Sequence, residues 1–178
     1  RRIELTSYAE VVLNAQAADA AHPAFSKLFV QTAFDLGSRA LLARRRPRAA
    51  NEPVCWLVHA LVGEGHEAPA PEWETDRARF IGRGHSLAAP RALVAGAPLS
   101  GTVGNVLDPI VSLRRVVELP VDGSVQLTWL LGVAPERETA LALAARYRAA
   151  AQVEAELRAA SGRAQPASVR PPSWPSPA

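Results

Sequence analysis

Before residue 135 the chain contains several runs of apolar residues or of alternating apolar and polar residues, which is the pattern of β-strands. The alternation is clearest over residues 3–13, and residues 25–34 form a second run of strand-like composition. Residues 54–62 are apolar on both faces, as expected of a central strand that is fully buried. Residues 110–119 and 125–133 predict two further strands.

The connections between these runs predict how the strands are arranged. Residues 120–124, between the last two predicted strands, contain an Asp-Gly pair, which is a signal for the turn of a hairpin. The other connections are rich in turn residues and show no helical periodicity. Successive strands without intervening helices favour antiparallel pairing. We therefore predict a mainly β fold, a large antiparallel β-sandwich.

The pattern changes after residue 134. A proline and two acids at 135–138 mark a helix start, and apolar residues then recur at helical spacing in an Ala- and Arg-rich run. One C-terminal α-helix is predicted over residues 135–160. Residues 161–178 contain five prolines and no apolar periodicity, which predicts a disordered tail. The predicted divisions are a β-sandwich domain (1–134), a linker helix (135–160) and a disordered Pro-rich tail (161–178).

Composition narrows the class of protein. The 178-residue chain is 48% apolar and 21% charged, which is ordinary for a single soluble domain. It has no apolar run of about eighteen residues, so direct membrane insertion is not expected. The single cysteine, Cys55, excludes an internal disulfide. Because the sequence contains no methionine, it is expected to be an excised or truncated piece of something longer.

Basic and metal-binding patterns give little support to other classes of function. The arginines at 44–48 could bind phosphate or nucleic acid, or could lie on a solvated strand edge. No aromatic residues are interleaved with them and the net charge is only +3, so the solvated edge is favoured and no nucleic-acid partner is predicted. His59, His66 and His85 lack the spacing of metal ligands. We predict neither a metal site nor a cofactor.

The segment ETDRARFIGRG at residues 74–84 lies between two Pro-rich stretches and is typical of a functional loop. Asp76 and Arg77 could form an ion pair that pins this loop onto the sandwich, because a guanidinium fits a carboxylate well. Alternatively Arg77, Arg79 or Arg83 could reach a sugar hydroxyl or a phosphate, with the glycines letting the backbone approach the ligand. The residues alone favour the structural role.

Three tryptophans are further candidates, because an aromatic ring can stack on a sugar. Trp56 and Trp129 lie in apolar runs and are predicted to belong to the core. Trp73 is predicted to lie in a loop beside Glu72 and Glu74. It is therefore the better ligand candidate of the three.

Four segments of the chain resemble a known family. They are RIELTSYAEVVL (2–13), HPAFSKLFV (22–30), ETDRARFIGRG (74–84) and LDPIVSLRR (107–115). In this order they are similar to the N-terminal β-sandwich of glycoside hydrolase family 94, which contains cellobiose and chitobiose phosphorylases. Within the family, the chain most resembles the phosphorylase-like region of bacterial cyclic β-1,2-glucan synthases, from about residue 1 to residue 147.

The resemblance implies a supersandwich-like β domain followed by a linker helix and an (α/α)6 barrel. In that family the barrel holds the general acid, so the barrel is the implied partner and this chain alone is predicted to be inactive, without catalytic residues. A β-glucan oligosaccharide is the implied ligand. The implied location is the cytoplasmic face in a bacterium, in a parent protein associated with the inner membrane.

The function that this resemblance implies is to scaffold and partly wall the sugar site of the barrel. The predicted substrate-binding residues are Asp76, Arg77, Arg83 and Trp73, either facing that site or fixing the loop that faces it. Two alternatives stay open. One is a free-standing carbohydrate-binding module, which would carry an exposed aromatic platform, and the other is a non-functional truncated remnant.

Overall fold

Nine β-strands and five α-helices are found in the computed structural model of the protein, which describes residues 1–50, 52–62 and 69–163. The strands are β1 (Arg2–Thr6), β2 (Ala9–Glu10), β3 (Val30–Asp35), β4 (Ala40–Arg45), β5 (Trp56–Val62), β6 (Glu72–Asp76), β7 (Gly104–Asn105), β8 (Pro109–Glu118) and β9 (Thr128–Ala134). The helices are α1 (Gln16–Ala21), α2 (Pro23–Lys27), α3 (Arg77–Ile81), α4 (Arg137–Arg146) and α5 (Ala150–Arg163), and Arg91–Leu93 form a 3-10 helix. The described strand pairs are all antiparallel, which confirms the predicted fold class.

The larger sheet has five strands in the order β7-β3-β4-β5-β9. β3, β4 and β5 follow one another as a meander, so the centre of this sheet is built from neighbouring parts of the chain. Leu41, Leu42, Val58 and Ala60 lie there and are completely buried. The prediction of a buried inner strand at β5 is thus confirmed.

The smaller sheet is organised around β8, the longest strand. β6 pairs with one edge of β8, while β1 and β2 pair in succession with the other edge. The strand predicted over residues 3–13 is interrupted at Ser7, whose hydroxyl accepts a hydrogen bond from the Leu113 amide at 3.0 Å. The Ser7 hydroxyl thus accepts the hydrogen bond that a backbone carbonyl would accept in a regular β-ladder, and regular strand pairing resumes at β2.

A polar contact joins the two sheets inside the sandwich. His59 of β5 is 4% exposed, and its Nε2 lies 2.7 Å from the Ser7 hydroxyl while its Nδ1 lies 2.9 Å from the Leu130 carbonyl oxygen. Because a carbonyl can only accept, Nδ1 donates to Leu130 and Nε2 accepts from Ser7. Burial lowers the pKa of His59 despite the opposing effect of the Leu130 bond, so the ring is neutral at pH 7.

Apolar side chains pack on both faces of the larger sheet. Between the sheets, Val111 and Leu113 of β8 pack in one apolar cluster with Leu41 of β4. On the outer face, Ala140 and Ala144 of α4 pack against the sheet, mainly along β5 and β9. Small residues at these two positions let the helix approach the strands closely. The C-terminal helical segment thus covers the outer face of the sandwich.

The predicted hairpin between β8 and β9 is wrong. The chain does turn at residues 120–123, where the Gly123 amide donates to the Pro120 carbonyl at 3.3 Å and Asp122 has a φ of 56°. This turn carries the chain from β8 in the smaller sheet to β9, which pairs with β5 at the edge of the larger sheet. A turn signal predicts that the chain reverses, and leaves open which sheet the next strand joins.

Helices also occur where none was predicted. α1 and α2 occupy most of residues 16–27, so Phe25 lies in α2 and the strand predicted from residue 25 begins only at Val30. Pro23 stands in the first turn of α2, where its missing N–H costs nothing. Within residues 25–34 the chain changes from helix to strand, and periodicity cannot resolve such a change in so short a run.

The helix predicted over residues 135–160 is divided in two around Tyr147. Ala140 and Ala144 are the buried residues of α4, and a straight continuation would bury residues 147 and 151 next. Tyr147 is half-buried against the same cluster, but residue 151 is exposed and Val153 is buried, so the break changes which side of the second helix faces the sheet. α5 extends to residue 163, three residues into the predicted tail. The rest of that tail, residues 164–178, lies outside the described residues.

Candidate functional site

An ion-pair ring joins distant parts of the chain at the start of β8. The Lys27 ammonium lies 2.7 Å from Asp108 Oδ1 and 3.6 Å from Glu10 Oε2. The Arg77 guanidinium contacts the same two carboxylates, at 3.0 Å from Glu10 Oε1 and 3.5 Å from Asp108 Oδ2. Positive and negative charges therefore alternate around a closed ring of four side chains. We call these four residues the ion-pair ring.

Tyr8 closes the ring on the side of β2. Its hydroxyl donates to Glu10 Oε1 at 3.1 Å and accepts from Arg77 Nε at 3.1 Å. Its aromatic ring packs on Phe80 of α3, with centroids 4.9 Å apart. The first turn of α3 is thus held both by charge and by an apolar contact.

Each of the four segments that resemble glycoside hydrolase family 94 supplies one member of the ion-pair ring. The side chains of all four segments meet at this ring. The members are Glu10 from residues 2–13, Lys27 from residues 22–30, Arg77 from residues 74–84 and Asp108 from residues 107–115.

The ring is charged at neutral pH. Partial burial acts to raise the pKa of Glu10, but the Tyr8 hydrogen bond and the charges of Lys27 and Arg77 outweigh it and hold that pKa below its ordinary value. Burial acts to lower the pKa of Lys27, but its hydrogen bond to Asp108 outweighs burial, so the pKa of Lys27 is raised. Both shifts move titration further from neutrality, which keeps the ring intact there.

Asp76 does not pair with Arg77, contrary to the predicted ion pair. Asp76 is the N-cap of α3, where its Oδ1 accepts from the Ala78 amide at 2.9 Å and its Oδ2 lies 3.6 Å from Arg79 Nε. A capping carboxylate is directed at the amide two or three residues ahead. Asp76 therefore fixes the helix end, while the ion-pair ring fixes Arg77.

A pocket of about 440 Å³ lies between α3 and residues 91–100. Its lining includes three exposed arginines, Arg79, Arg83 and Arg91, and we call it the arginine pocket. Gly82 joins the two walls, because a Cβ at this position would lie 2.7 Å from the Cβ of Arg91. With a φ of 82° as well, this position suits glycine alone.

The buried carboxylate of Glu74 ties residues 91–100, which form one wall of the arginine pocket, to β6. Glu74 is 2% exposed. Its Oε1 accepts from the amides of Thr75 and Asp76, both at 3.0 Å, and its Oε2 accepts from the amide of Ser100 at 3.2 Å and the hydroxyl of Ser100 at 2.6 Å. Both oxygens are thus fully engaged with donors of the protein, as a buried charge requires.

The buried guanidinium of Arg114 also holds residues 91–100. Arg114 of β8 is 4% exposed and donates to the backbone carbonyls of Ala92 and Ala97, the second at 2.6 Å. It also lies 3.5 Å from Glu72 Oε2. Residues 91–100 are therefore anchored to the smaller sheet through opposite charges on two neighbouring strands.

Trp73 lies in β6, and its predicted position in a loop is wrong. Its ring stacks on Phe34 with centroids 3.8 Å apart and an angle of 4° between the planes, so one face is covered. It also packs against the apolar cluster between the sheets. Trp56, Trp73 and Trp129, the tryptophans within the described residues, are all half-buried.

The arginines at 44–48 are exposed, as expected of a solvated edge, except for Arg45. Arg45 is 4% exposed, donates to the Ser26 carbonyl and lies 3.4 Å from Glu52 Oε1. It therefore links β4 to the end of α2. Arg46, by contrast, is exposed.

The described part of the chain has neither a metal-binding cluster nor a membrane-spanning helix. Within residues 1–50, 52–62 and 69–163, no group of three or more His, Cys, Asp or Glu side chains is placed to hold a metal ion. In the same ranges no helix has both the length and the apolar character needed to cross a membrane. His66 lies outside the described residues. Burial raises the pKa of the Cys55 thiol, which disfavours a reactive thiolate.

Of the four residues predicted to bind substrate, Arg83 alone lines the arginine pocket. Asp76 and Arg77 hold the helix that forms one wall, and Trp73 packs in the core. Sequence reasoning missed Arg91, which follows a proline in an otherwise unremarked loop. Its only signal was the Gly-Arg-Gly at 82–84, where a glycine allows another segment to approach closely.

The fold is a β-sandwich with helices on its outer face and an arginine pocket beside its smaller sheet. The chain belongs to the glycosyl hydrolase 94 supersandwich domain family, whose model matches residues 1–150. It is 41% identical over 148 residues to the cyclic beta-(1,2)-glucan synthase NdvB of Rhizobium meliloti (strain 1021). This match covers 83% of the chain and spans 5% of the length of NdvB. The predicted family resemblance is thereby confirmed.

Proposed function

We propose that this chain is a carbohydrate-binding scaffold that walls a β-glucan site within a larger protein of the cyclic β-1,2-glucan synthase type. Membership of the glycosyl hydrolase 94 supersandwich family supports the class of ligand. The observation that carries the proposal is the combination of the arginine pocket with the ion-pair ring. One wall of the pocket is anchored by several distant segments, and its arginines are left exposed.

The four predicted residues take different parts in this proposal. Arg83 contacts the ligand, because it lines the arginine pocket and is exposed. A guanidinium offers several donors in one plane, which suits neighbouring hydroxyl groups of a pyranose ring. Arg77 and Asp76 are positioning residues that hold α3 in place. Trp73 supports β6, the strand from which this helix starts.

A neighbouring (α/α)6 barrel is the proposed partner and the source of the general acid. In this arrangement the chain supplies a wall and fixed donors, and the isolated chain neither cleaves nor transfers a glucosyl unit. We place the complete protein at the inner membrane of a bacterium, with this domain on the cytoplasmic face.

Titration of β-1,2-linked gluco-oligosaccharides into the ¹⁵N-labelled chain tests the proposal. We expect saturable chemical-shift changes at residues 78–84 and 91–100, because these residues form the arginine pocket. Arg83→Ala should weaken them, and Arg46→Ala, at an exposed site outside the pocket, should leave them unchanged. Shift changes centred elsewhere, or none at saturating oligosaccharide, would overturn the proposed site.

A further inference from the structure

The outer face of the larger sheet carries a groove beside the helix that packs on it. α4 packs mainly along β5 and β9, which form one side of this sheet. Over β3 and β4 there is an open groove of about 400 Å³. Its lining includes the apolar residues Ala33 and Leu42 together with Gln31, Arg44 and Trp56. We call it the outer groove.

Gln31, Arg44 and Trp56 stand in one row across three neighbouring strands. Gln31 of β3 lies opposite Arg44 of β4, and Arg44 lies opposite Trp56 of β5. Residues opposite one another point to the same face of a sheet, and Trp56 packs against the apolar cluster beneath α4. The row is therefore on the outer face, which points away from the smaller sheet and from the arginine pocket beside that sheet.

Arg44 is held in place by its two neighbours in the row, although it is exposed. Its Nε and Nη2 donate to the side-chain oxygen of Gln31 at 3.2 and 3.0 Å. Its guanidinium carbon lies 5.4 Å from the centre of the Trp56 ring, which is the distance of a cation–π contact. The row is thus a polar array that is ordered before any ligand binds, so little ordering is needed on binding.

The row also has hydrogen-bond donors without partners. Within the described residues, neither the side-chain amide nitrogen of Gln31 nor the indole nitrogen of Trp56 donates to a protein acceptor. The indole nitrogens of Trp73 and Trp129 also lack partners, but they are buried, whereas Trp56 lines the open groove. The outer groove therefore combines an aromatic ring with donors that a ligand can reach.

We propose that the outer groove binds a glucose unit of a neutral glucan, as a second carbohydrate site separate from the arginine pocket. The inference rests on the proposed function for its class of ligand and adds a site that the proposed function does not contain. A pyranose ring has an apolar face of C–H groups and a rim of hydroxyl groups. The Trp56 ring offers a surface for the apolar face, and Gln31 and Arg44 offer donors to the hydroxyl oxygens.

The charge and size of the groove suit a neutral sugar unit. Among the described residues that line it, Arg44 is the one with a charge, and that charge is already stabilised by the face of the Trp56 ring. About 400 Å³ is within the range of small-molecule sites. Because a glucan is a polymer, units outside the arginine pocket can occupy a second site, and the second contact of one chain is then intramolecular.

NMR of the ¹⁵N-labelled full chain tests the inference, because each tryptophan gives its own indole N–H signal. Loss of one signal in Trp56→Phe assigns the signal of Trp56. Titration with a β-1,2-linked gluco-oligosaccharide should move this signal saturably and leave those of Trp73 and Trp129 in place. The affinity should be the same at low and at high salt, since the ligand is uncharged.

Variants of the row should weaken binding at the outer groove, measured from the backbone amide signals of residues 31–33. Trp56→Ala removes the ring and its N–H and should lower the affinity by about tenfold or more, and Gln31→Ala removes one donor and should lower it by about two- to tenfold. Trp56→Phe keeps an aromatic ring, so an intermediate affinity is expected. Arg46→Ala, at an exposed site outside the groove, and Arg83→Ala, in the arginine pocket, should leave it unchanged. Circular dichroism spectra identical to wild type confirm that the variants fold.

Three results would overturn the inference. They are an indole signal of Trp56 that does not move at saturating oligosaccharide, equal affinities of Trp56→Ala and Arg46→Ala at residues 31–33, and binding that is lost at high salt. The same spectra report on the proposed function through residues 78–84 and 91–100. Shifts there and none in the outer groove would refute the second site and leave the proposed function standing. Shifts in the outer groove alone would refute the arginine pocket as the glucan site and leave the second site standing.

Discussion

Replacing Arg77 by alanine removes one corner of the ion-pair ring. The Arg77 side chain is 33% exposed and makes two ion pairs and one hydrogen bond to Tyr8. Partly exposed ion pairs contribute about 0.2–1 kcal/mol each, and a typical hydrogen bond contributes about 0.5–1.5 kcal/mol. Glu10 and Asp108 both keep Lys27, so neither carboxylate is left without a cation. We therefore expect Arg77→Ala to lower the free energy of unfolding by about 1–2 kcal/mol.

Thermal unfolding followed by circular dichroism measures this loss. For a chain of this size, about 1 kcal/mol corresponds to a change in Tm of about 2–4 °C, so Arg77→Ala should lower Tm by about 2–8 °C. Arg46→Ala is the matched control, because Arg46 is exposed. Its Tm should stay within about 1 °C of wild type, since surface substitutions rarely change stability by more than about 0.5 kcal/mol.

A double-mutant cycle decides whether the ring acts as a unit. Arg77→Ala combined with Asp108→Ala should cost less than the sum of the two single changes, because each removes a contact that the other also uses. Additive costs would show that the two side chains act independently. An Arg77→Ala protein with the Tm of Arg46→Ala would refute the reasoning, because it would reduce the ring to ordinary surface charge.

Three further predictions concern other parts of the sandwich. The pKa of His59 is lowered in the folded state, while in the unfolded chain it is about 6.5, so unfolding takes up a proton as the pH falls below that value. Stability should therefore be complete above about pH 7 and decrease towards about pH 5, and His59→Gln should flatten this profile in a urea denaturation series. Gly82→Ala should cost about 1–3 kcal/mol, because alanine would be strained at a φ of 82° and would collide with the Cβ of Arg91. Leu42→Ala, at a fully buried position, should cost about 2–5 kcal/mol in the same assay, whereas Leu36→Ala, at a position 77% exposed, should cost almost nothing.

Each of these predictions has a contrary result. A wild-type profile with no pH dependence would contradict the neutral, buried state assigned to His59. Wild-type stability in Gly82→Ala would mean that the contact between the two walls of the arginine pocket is loose. Equal costs at Leu42 and Leu36 would mean that the outer face of the larger sheet does not form a packed core.

The elements that sequence reasoning predicted well are those whose own residues determine their environment. β5 is a long apolar run, and a segment that is apolar on both faces has few places to lie other than inside a sandwich. The helical segment after residue 134 likewise shows a clear change of period. Their partners were harder to predict, because β8 pairs with β1 and β6 rather than with β9, which follows it in the chain.

The candidate site shows a similar limit. Asp76 and Arg77 are adjacent in sequence, which suggested a pair, but the first caps α3 and the second reaches Glu10 and Asp108. Adjacent residues at a helix start have different tasks, since the cap is bound to the helix backbone. Arg91 was missed because its place beside Gly82 depends on the tertiary fold. A pocket is lined by residues that are neighbours in space, whereas a single sequence shows only which residues are neighbours along the chain.

The central position of β8 in the smaller sheet affects how a nascent chain can fold. β1, β2 and β6 all pair with β8, and the first of these pairings joins Arg2 to Glu118. Because synthesis proceeds from the N-terminus at about 5–20 residues per second, β1 emerges from the ribosome many seconds before its partner. The local meander of β3, β4 and β5 can form early, whereas the high contact order of β8 delays the second layer. We therefore expect the apolar inner face of the meander to be uncovered during that interval, when it would be open to chaperones that bind ribosome-attached chains.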